Sequence, residues 1–165
     1  MKHIAVCSGS FDPVTIGHVN IFERASQMFD ELILCVFHNV RKTSLFSLEE
    51  RVALLREATA HLPNVRVDAF SGLLTDYMRQ AGAHIIVRGV RSVKDLEYEE
   101  NEAYILKHLD SSLETVFLLT EPRYSFVSSS AVRELLAFGG DIHGLVPPCV
   151  EKAAAQKKKN ETANR

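Results

Sequence analysis

The sequence has few cysteines and no large excess of charge of either sign. Cys7, Cys35 and Cys149 make an odd number with no CxxC pair, so the pattern indicates neither a disulfide framework nor a zinc site. Lysine and arginine number 19 and aspartate and glutamate 21, which gives a formal net charge of −2. This balance argues against a bulk nucleic-acid binder. Any binding site for an anion must therefore be a local cluster of cations.

Long hydrophobic runs are also missing. The N-terminus has no hydrophobic segment of the signal-peptide kind, and no apolar run reaches the length needed to cross a membrane. These absences, with the sparse cysteines, predict a protein of the reducing cytoplasm that does not bind membranes. A chain of 165 residues with 46% hydrophobic residues is long enough to bury a core. We expect a single domain over residues 1–155 and a polar, disordered tail over residues 156–165.

Short apolar runs alternate with helix-like patterns along the whole chain. This alternation is typical of a parallel sheet whose strands are joined by crossover helices. Because such crossovers are right-handed, the pattern predicts an α/β fold, a Rossmann-like doubly wound five-stranded parallel sheet of order 3-2-1-4-5 with helices on both faces. The predicted strands are Ile4–Cys7, Leu32–Phe37, Val65–Ala69, Ile85–Arg88 and Thr115–Leu119.

Local signals predict where several helices begin and end. A helix is expected to begin near Gly17, and Ser47-Leu48-Glu49-Glu50 has the form of a capping box that opens the next one. Ser71 is predicted to cap a short helix over Leu73–Gln80, and Gly82 to end it. Two later helices are expected from about Lys94 and directly after the run of serines at 128–130.

The stretch from Ser8 to His18, which reads SGSFDPVTIGH, follows the first predicted strand. In an open α/β sheet, ligands bind outside the carboxyl ends of the strands. Thr15 and His18 are three residues apart and share one face if the helix has begun, and a histidine beside free helix N–H groups is suited to bind phosphate. The stretch matches neither GxGxxG nor GxxxxGK[ST]. The alternative is an ordinary turn with a structural histidine.

Three further segments carry candidate phosphate ligands. Arg88-Gly89-Val90-Arg91 places two guanidinium groups at the end of a strand, and a guanidinium binds phosphate through two parallel hydrogen bonds. Lys42 lies in the loop after the second strand, and Ser128-Ser129-Ser130 precede a helix whose N–H groups could face a triphosphate. The alternatives are arginines paired with Asp95 or Glu99, a solvated lysine and a simple helix cap.

Groups for nucleophilic catalysis by the protein itself are not evident. No pair of carboxylates, Ser/His/Asp order or reactive cysteine setting stands out. This fits a reaction in which the substrate supplies the nucleophile. A phosphomonoester, whose second pKa is about 6, is largely ionised at pH 7 and needs no general base. Such a reaction needs positioning and charge neutralisation, which Lys, Arg, His and backbone N–H groups supply.

Together these motifs resemble those of a known family. GSFDPVTIGH looks like the TxGH form of the HxGH signature of the nucleotidyltransferase superfamily. With Lys42, FSLEERVALL, RGVRSVKDLEYE and YSFVSSSAVRE it resembles the bacterial phosphopantetheine adenylyltransferases, from His3 to about Val150. The resemblance implies in-line transfer of AMP from ATP to 4′-phosphopantetheine, giving dephospho-coenzyme A and pyrophosphate. It also implies Mg²⁺ as cofactor, feedback inhibition by coenzyme A and a homohexamer.

The resemblance also implies roles for individual residues, none of them a metal ligand. Those implied in catalysis are Ser10, His18, Lys42 and Arg91. Those implied in binding 4′-phosphopantetheine are Ser10, Lys42, Leu74 and Arg88. Those implied in binding ATP are Ser10, Phe11, His18, Gly89, Val90, Arg91, Glu99, Tyr124, Ser125, Phe126, Val127, Ser128, Ser129 and Ser130.

The chain departs from the family pattern at two positions. Many members have proline at the position of Ser8 and threonine at that of Ser10. Serine keeps the hydroxyl and loses the methyl that restricts its rotamer, so we expect no loss of function. Two alternatives stay open: a sister nucleotidyltransferase that uses nicotinamide mononucleotide or glycerol phosphate, and a non-catalytic nucleotide sensor on the same scaffold.

Overall fold

The structure is a computed structural model that describes residues 2–37 and 43–163, without the side chains of residues 161 and 162. Lys42 lies outside the described residues, so its implied role stays a prediction. The strands are β1 (Ile4–Gly9), β2 (Glu31–Phe37), β3 (Val65–Phe70), β4 (Ile85–Val90) and β5 (Glu114–Leu119). They form one parallel sheet of order β3-β2-β1-β4-β5, which confirms the predicted Rossmann-like topology.

The helices cover both faces of this sheet, as predicted. They are α1 (Ile16–Ser26), α2 (Leu48–Ala58), α3 (Leu74–Ala81), α4 (Val93–Leu109), α5 (Ser129–Ala137) and α6 (Pro148–Ala163). A short 3₁₀ turn, Pro122–Tyr124, lies between β5 and α5. Among the described residues, no helix is both long and apolar enough to cross a bilayer.

Alternate residues of the central strands point into two separate cores. Ala5 and Cys7 of β1 belong to the larger core, which α1, α2, α5 and α6 complete. Val6, between them, belongs to the smaller core, where it packs with Met78 of α3 and Ile86 of β4. Because strand side chains alternate between faces, a strand buried on both faces is apolar at every position, which is why the sequence shows unbroken apolar runs.

Two of the predicted helix signals are confirmed. Ser47 Oγ accepts from Glu50 N at 3.1 Å, and Glu50 Oε2 accepts from Ser47 N at 2.7 Å, which completes the capping box of α2. Gly82 ends α3 in the left-handed conformation, with φ 62°. These signals need only short-range contacts, so the sequence reports them well.

The predicted cap at Ser71 is wrong. The residue that precedes α3 is Leu73, and its side chain makes no capping hydrogen bond. A cap at Ser71 would make Gly72 the first helical residue, but Gly72 has φ 136°, which no right-handed helix accepts. The turn conformation at Gly72 therefore moves the start of the helix beyond the reach of the serine hydroxyl.

The segment expected to be a disordered tail continues helix α6 as far as Ala163. Lys157 Nζ donates to Glu50 Oε2 at 3.2 Å and lies 5.3 Å from the centre of the Phe46 ring. Gln156 Nε2 donates to Asn160 Oδ1 at 3.0 Å, one turn along the helix. The segment is polar, but its lysines and its glutamine favour helix, and Lys157 ties it to the rest of the domain.

Candidate active site

A cavity of about 740 Å³ opens at the carboxyl ends of β1 and β4. These strands are neighbours at the centre of the sheet, where the strand order reverses and open α/β sheets place their ligands. Polar and cationic side chains from the turn after β1, from α1, from the end of β4, from α4 and from the start of α5 line this cavity. They include Ser8, Ser10, Thr15, His18, Arg88, Arg91, Lys94, Asp95, Tyr98, Glu99, Ser128, Ser129, Ser130 and Arg133.

His18 is held by the cap of helix α1. Thr15 caps the helix and accepts from His18 N at 3.3 Å, while Thr15 N donates to His18 Nδ1 at 3.1 Å. A backbone N–H only donates, so Nδ1 must be an acceptor and the proton of the neutral ring lies on Nε2. The ring also packs edge-on against Phe11, with 5.3 Å between ring centres. The helix cap therefore orients the imidazole and selects its tautomer.

The same environment keeps His18 uncharged near neutral pH. Burial lowers the pKa of His18 to about 4, and the positive charge of Arg91 lowers it further in the same direction. The side chain therefore offers a neutral N–H donor and not a cation. Positive charge at the cavity comes from Arg88, Arg91, Lys94 and Arg133.

The turn after β1 has a constrained backbone. Phe11 has φ 44°, in the left-handed region that residues with a side chain seldom adopt. Its ring is buried and packs edge-on against Phe22 as well as His18. A Cβ at Gly9 would lie 3.0 Å from Cζ of Phe11, a tight contact that the buried ring would have to relieve by shifting. An unusual backbone conformation at a ligand cavity is typical of a functional site.

Side chains distant in sequence bind the backbone carbonyls of this turn. We call residues 8–13 the anchored turn. The donors come from three elements, α2, β4 and α5, so the turn is held from several sides. The bonds are Arg88 Nη1 to Ser8 O at 2.7 Å, Arg51 Nη1 to Ser10 O at 2.8 Å, Arg133 Nη1 to Asp12 O at 2.6 Å and Ser129 Oγ to Pro13 O at 2.8 Å.

Asp12 connects the anchored turn to the segment before α2. Its Oδ2 accepts from Leu45 N at 2.7 Å and its Oδ1 from Phe46 N at 2.9 Å, and the residue is only 5% exposed. Arg51 of α2 is also buried, and no carboxylate pairs with it in the described part of the chain. Its guanidinium instead donates a hydrogen bond to the backbone carbonyl of Ser10.

Asp12, Arg51 and Arg133 had no role predicted from the sequence. All three lie inside motifs that carry the family resemblance, GSFDPVTIGH, FSLEERVALL and YSFVSSSAVRE, and this was the available signal. Each of them binds backbone atoms of a segment 33 or more residues away, as Asp12 binds Leu45 N. Only the folded chain shows which carbonyls and N–H groups they bind.

The arginines at the end of β4 lie at the cavity and are also paired with acids of α4. Arg91 Nε is 2.9 Å from Asp95 Oδ2, and Arg88 Nε is 3.3 Å from Glu99 Oε2. The ion pairs raised as an alternative are therefore present, and both arginines also line the cavity, where their binding of a ligand stays a prediction. Burial raises the pKa of Glu99, Arg88 opposes this, and the neighbouring acids add to it.

The serines before α5 have divided roles. Ser128 caps the helix by accepting from Ala131 N at 3.1 Å, as the simpler alternative predicted. Ser129 donates to Pro13 O, and Ser130 Oγ accepts from Arg133 Nη2 at 3.1 Å. All three also line the cavity. The three serines therefore form one wall of the cavity and hold the start of α5 against the anchored turn.

Most of the implied site residues within the described ranges meet at this cavity, and some do not. Those that line it are Ser10, Phe11, His18, Arg88, Gly89, Arg91, Glu99, Val127, Ser128, Ser129 and Ser130. Those that do not are Leu74, Val90, Tyr124, Ser125 and Phe126. Leu74 packs against the smaller core, Val90 is buried, and Tyr124 lies beside Gly17 at the edge of the cavity. The roles implied for all of them remain predictions.

Comparisons with known proteins bear on the family and the fold of this chain. The model of the cytidylyltransferase-like family matches residues 6–135. Phosphopantetheine adenylyltransferase of Syntrophomonas wolfei is 50% identical over 158 residues, which cover 96% of this chain and 98% of that protein. The crystal structure of a putative nicotinate-nucleotide adenylyltransferase from Vibrio parahaemolyticus superimposes with a TM-score of 0.68 at 20% identity. It covers 92% of this chain and 91% of its own, and at that identity it supports the fold alone.

Proposed function

The chain belongs to the cytidylyltransferase-like family, and we propose that within it the protein is a phosphopantetheine adenylyltransferase of coenzyme A biosynthesis. It transfers AMP from ATP to 4′-phosphopantetheine and releases dephospho-coenzyme A and pyrophosphate. The Syntrophomonas wolfei relative, matched over nearly the full length of both chains, supports the substrate. The motifs that distinguish this family from its sisters, RGVRSVKDLEYE and YSFVSSSAVRE, lie around the cavity.

The observation that carries the proposed chemistry is the tautomer of His18. With Nδ1 bound to Thr15 N, the ring presents Nε2–H as its remaining polar group. The phosphate of the acceptor is itself the nucleophile and is largely ionised at pH 7. It attacks the α-phosphorus of ATP in line, and pyrophosphate leaves without a covalent enzyme intermediate. A fixed neutral donor at the cavity then stabilises the charge that develops on the phosphoryl oxygens.

We propose that Mg²⁺ enters as part of the substrate, bound to the phosphates of ATP. Among the described residues, no group of three or more His, Cys, Asp or Glu side chains is placed to hold a metal ion. Magnesium is commonly bound through substrate phosphates and water with few protein ligands, so this donor set suits an ion delivered with ATP. The protein contributes the cations Arg88 and Arg91 and the donor His18.

The experiment that tests the function is release of pyrophosphate from Mg-ATP with and without 4′-phosphopantetheine. Parallel reactions contain nicotinamide mononucleotide with ATP and glycerol 3-phosphate with CTP. Release that depends on 4′-phosphopantetheine alone supports the proposal. Release with another acceptor moves the chain to a sister activity, and ATP binding without release by any acceptor favours the sensor.

A second experiment tests the residue roles. We expect Arg88→Ala and Lys42→Ala to raise the KM for 4′-phosphopantetheine more than the KM for ATP, because both residues are proposed to hold the acceptor phosphate. Arg88 lies at the cavity, while Lys42 rests on the family resemblance. Equal losses for the two substrates would count against this division.

We also propose a homo-oligomer, with the homohexamer of the family resemblance as the expected form. Helix α4 has no buried residue, and its apolar side chains Val93 and Ile105 are 73% and 60% exposed. Leu119 and Phe126 nearby are 71% and 70% exposed. Exposed apolar side chains in such number are typical of a subunit interface. Native mass spectrometry measures the assembly directly.

Two further expectations complete the proposal. Coenzyme A, which resembles the product, is proposed to inhibit by feedback, and competition with 4′-phosphopantetheine in initial-rate measurements tests this.

We propose the cytoplasm as the site of the reaction because Cys7, Cys35 and Cys149 are all free and buried. Burial raises the pKa of the Cys7 thiol to about 12, so this cysteine at the cavity is not a reactive thiolate.

A further inference from the structure

One face of helix α4 presents three carboxylates to the arginines of the cavity. Asp95, Glu99 and Glu102 follow one another at spacings of four and three residues, so they share a face of the helix. Asp95 pairs with Arg91, and both Glu99 and Glu102 pair with Arg88. The family resemblance assigns no role to Glu102.

Each nitrogen of the Arg88 guanidinium faces an oxygen atom of the protein. Nη1 donates to Ser8 O at 2.7 Å, Nε lies 3.3 Å from Glu99 Oε2, and Nη2 lies 3.6 Å from Glu102 Oε2. A phosphate binds a guanidinium best through two adjacent N–H groups. Because Nη1 is committed to the backbone, the edge left for a phosphate is the one formed by Nε and Nη2. Two carboxylates face that edge as ion pairs, without a hydrogen bond to it among the described residues.

The two glutamates are not equally easy to displace. The Glu99 side chain is 23% exposed, whereas that of Glu102 is 43% exposed and makes the longer contact with Arg88. Glu102 also has a second partner, because Tyr98 Oη donates to Glu102 Oε1 at 3.1 Å. It can therefore leave Arg88 without losing every contact. Tyr98 lines the cavity as well.

We propose that Glu102 competes with phosphate for Arg88: its carboxylate faces the phosphate-binding edge of the guanidinium until a substrate phosphate displaces it. The proposal rests on the proposed function in one respect, the assignment of Arg88 to the phosphate of 4′-phosphopantetheine. A small free anion must displace the carboxylate with no other contact to compensate. The displacement weakens both ligands by the same factor, but a phosphate on a long substrate arm has further contacts with the protein and still binds, whereas a small free anion is left with little net affinity.

The effect of removing this competition is modest and measurable. A partly exposed charge pair contributes little, so Glu102→Gln should tighten phosphate binding about two- to fivefold, or about 0.4–1 kcal/mol at 1.4 kcal/mol per factor of ten. The glutamine keeps the shape of the side chain and removes its charge. Since Glu102 is partly exposed on a surface helix, the variant should fold normally.

The test titrates inorganic phosphate at constant ionic strength and follows the thermal stability of the whole protein. We compare the wild type, Glu102→Gln and the matched control Glu100→Gln. Glu100 lies on the same helix but is exposed, and its partner is Tyr104. We expect tighter phosphate binding in Glu102→Gln only. The same variant should lower the inhibition constant of phosphate against 4′-phosphopantetheine and leave the KM for ATP unchanged.

Equal phosphate affinity in the two variants would overturn the proposal, as would a gain that persists when Arg88→Met is combined with Glu102→Gln. If the double variant does not fold, the inhibition constant in the single variant decides. The titration needs no turnover. A failure of the proposed function would appear as an absence of pyrophosphate release in every variant, while the phosphate titration would still test Glu102.

Discussion

The anchored turn and helix α4 line the same cavity, yet they are built in opposite ways. Phe11 and Asp12 in the turn are each only 5% exposed, and side chains from α2, β4 and α5 bind the turn's carbonyls. Helix α4 has 17 residues and none is buried. The rest of the domain therefore fixes the geometry of the turn, while α4 contributes charges and an apolar face. We expect changes in the turn to affect rate and folding, and changes in α4 to affect selectivity and assembly.

The largest effect is expected from His18→Ala, in the first turn of α1, where the ring packs against Phe11 of the anchored turn. Loss of one transition-state donor should lower kcat by about 10²–10³, or about 3 kcal/mol, with the fold retained. Pyrophosphate release measures the rate, and circular dichroism checks the fold. His108→Ala, on the exposed side of α4, is the matched control and should retain full activity. Near-normal turnover of His18→Ala would refute the role given to this histidine.

The next largest effect is expected from Asp12→Asn. Each carboxylate oxygen accepts one backbone N–H, from Leu45 and from Phe46. An amide offers one oxygen and one NH₂ group, so one of these buried N–H groups would lose its acceptor, at a cost of about 2–3 kcal/mol. Urea unfolding measures this free energy.

The matched control for that change is Asp76→Asn. Asp76 carries an exposed carboxylate that pairs with Arg79 within α3. Its substitution should change the free energy of unfolding by less than about 1 kcal/mol. Equal losses in the free energy of unfolding for the two substitutions would show that the Asp12 carboxylate stabilises the fold no more than an exposed carboxylate does.

A smaller effect is expected from pH on the free energy of unfolding. The pKa of His18 is lowered to about 4 in the folded protein, below its ordinary value of 6.5. As the pH falls from 6.5 to 4, the unfolded chain binds a proton at His18 while the folded chain does not, so the free energy of unfolding decreases. Because the side chain is only half-buried, we expect this site to contribute about 1–2 kcal/mol. His18→Gln should remove that part of the decrease, and identical pH profiles would contradict this account.

The smallest effect on folding is expected from Ile105→Gln on α4. Ile105 is 60% exposed, so its replacement should change the free energy of unfolding of the dissociated chain by less than about 0.5 kcal/mol. The assembly should weaken, because the polar side chain would be buried between subunits. Native mass spectrometry reports the assembly, and Glu97→Gln is the control on the same helix. An unchanged assembly would exclude this part of α4 as the interface.

The sheet could be predicted because its cause is local. The central strands β1 and β2 are buried on both faces, so each appears as a short apolar run, and right-handed crossovers then leave few possible strand orders. The capping box at Ser47 and the stop at Gly82 were predictable for the same reason. Ser71 was misassigned because its effect depends on the conformation of Gly72, which composition does not reveal.

The site was only partly predictable. His18, Arg88 and Arg91 lie at the ends of the elements expected to carry them, so the sheet topology is enough to bring them together. Arg51 could not be found, because an arginine within a helix is ordinarily solvated. Its burial against Ser10 O depends on how α2 packs. The pairing of Arg88 with Glu102 likewise depends on the position of α4.

The long-range bonds of the anchored turn have a consequence for the order in which the chain becomes an enzyme. Ser129 and Arg133 reach residues of the turn that precede them by 116 and 121 positions. A growing polypeptide therefore completes its first strand and turn long before it holds the donors that set the turn's geometry. Catalytic competence should appear late in synthesis, after residue 133 has left the ribosome. A partly made chain that already binds nucleotide would still be unable to transfer AMP.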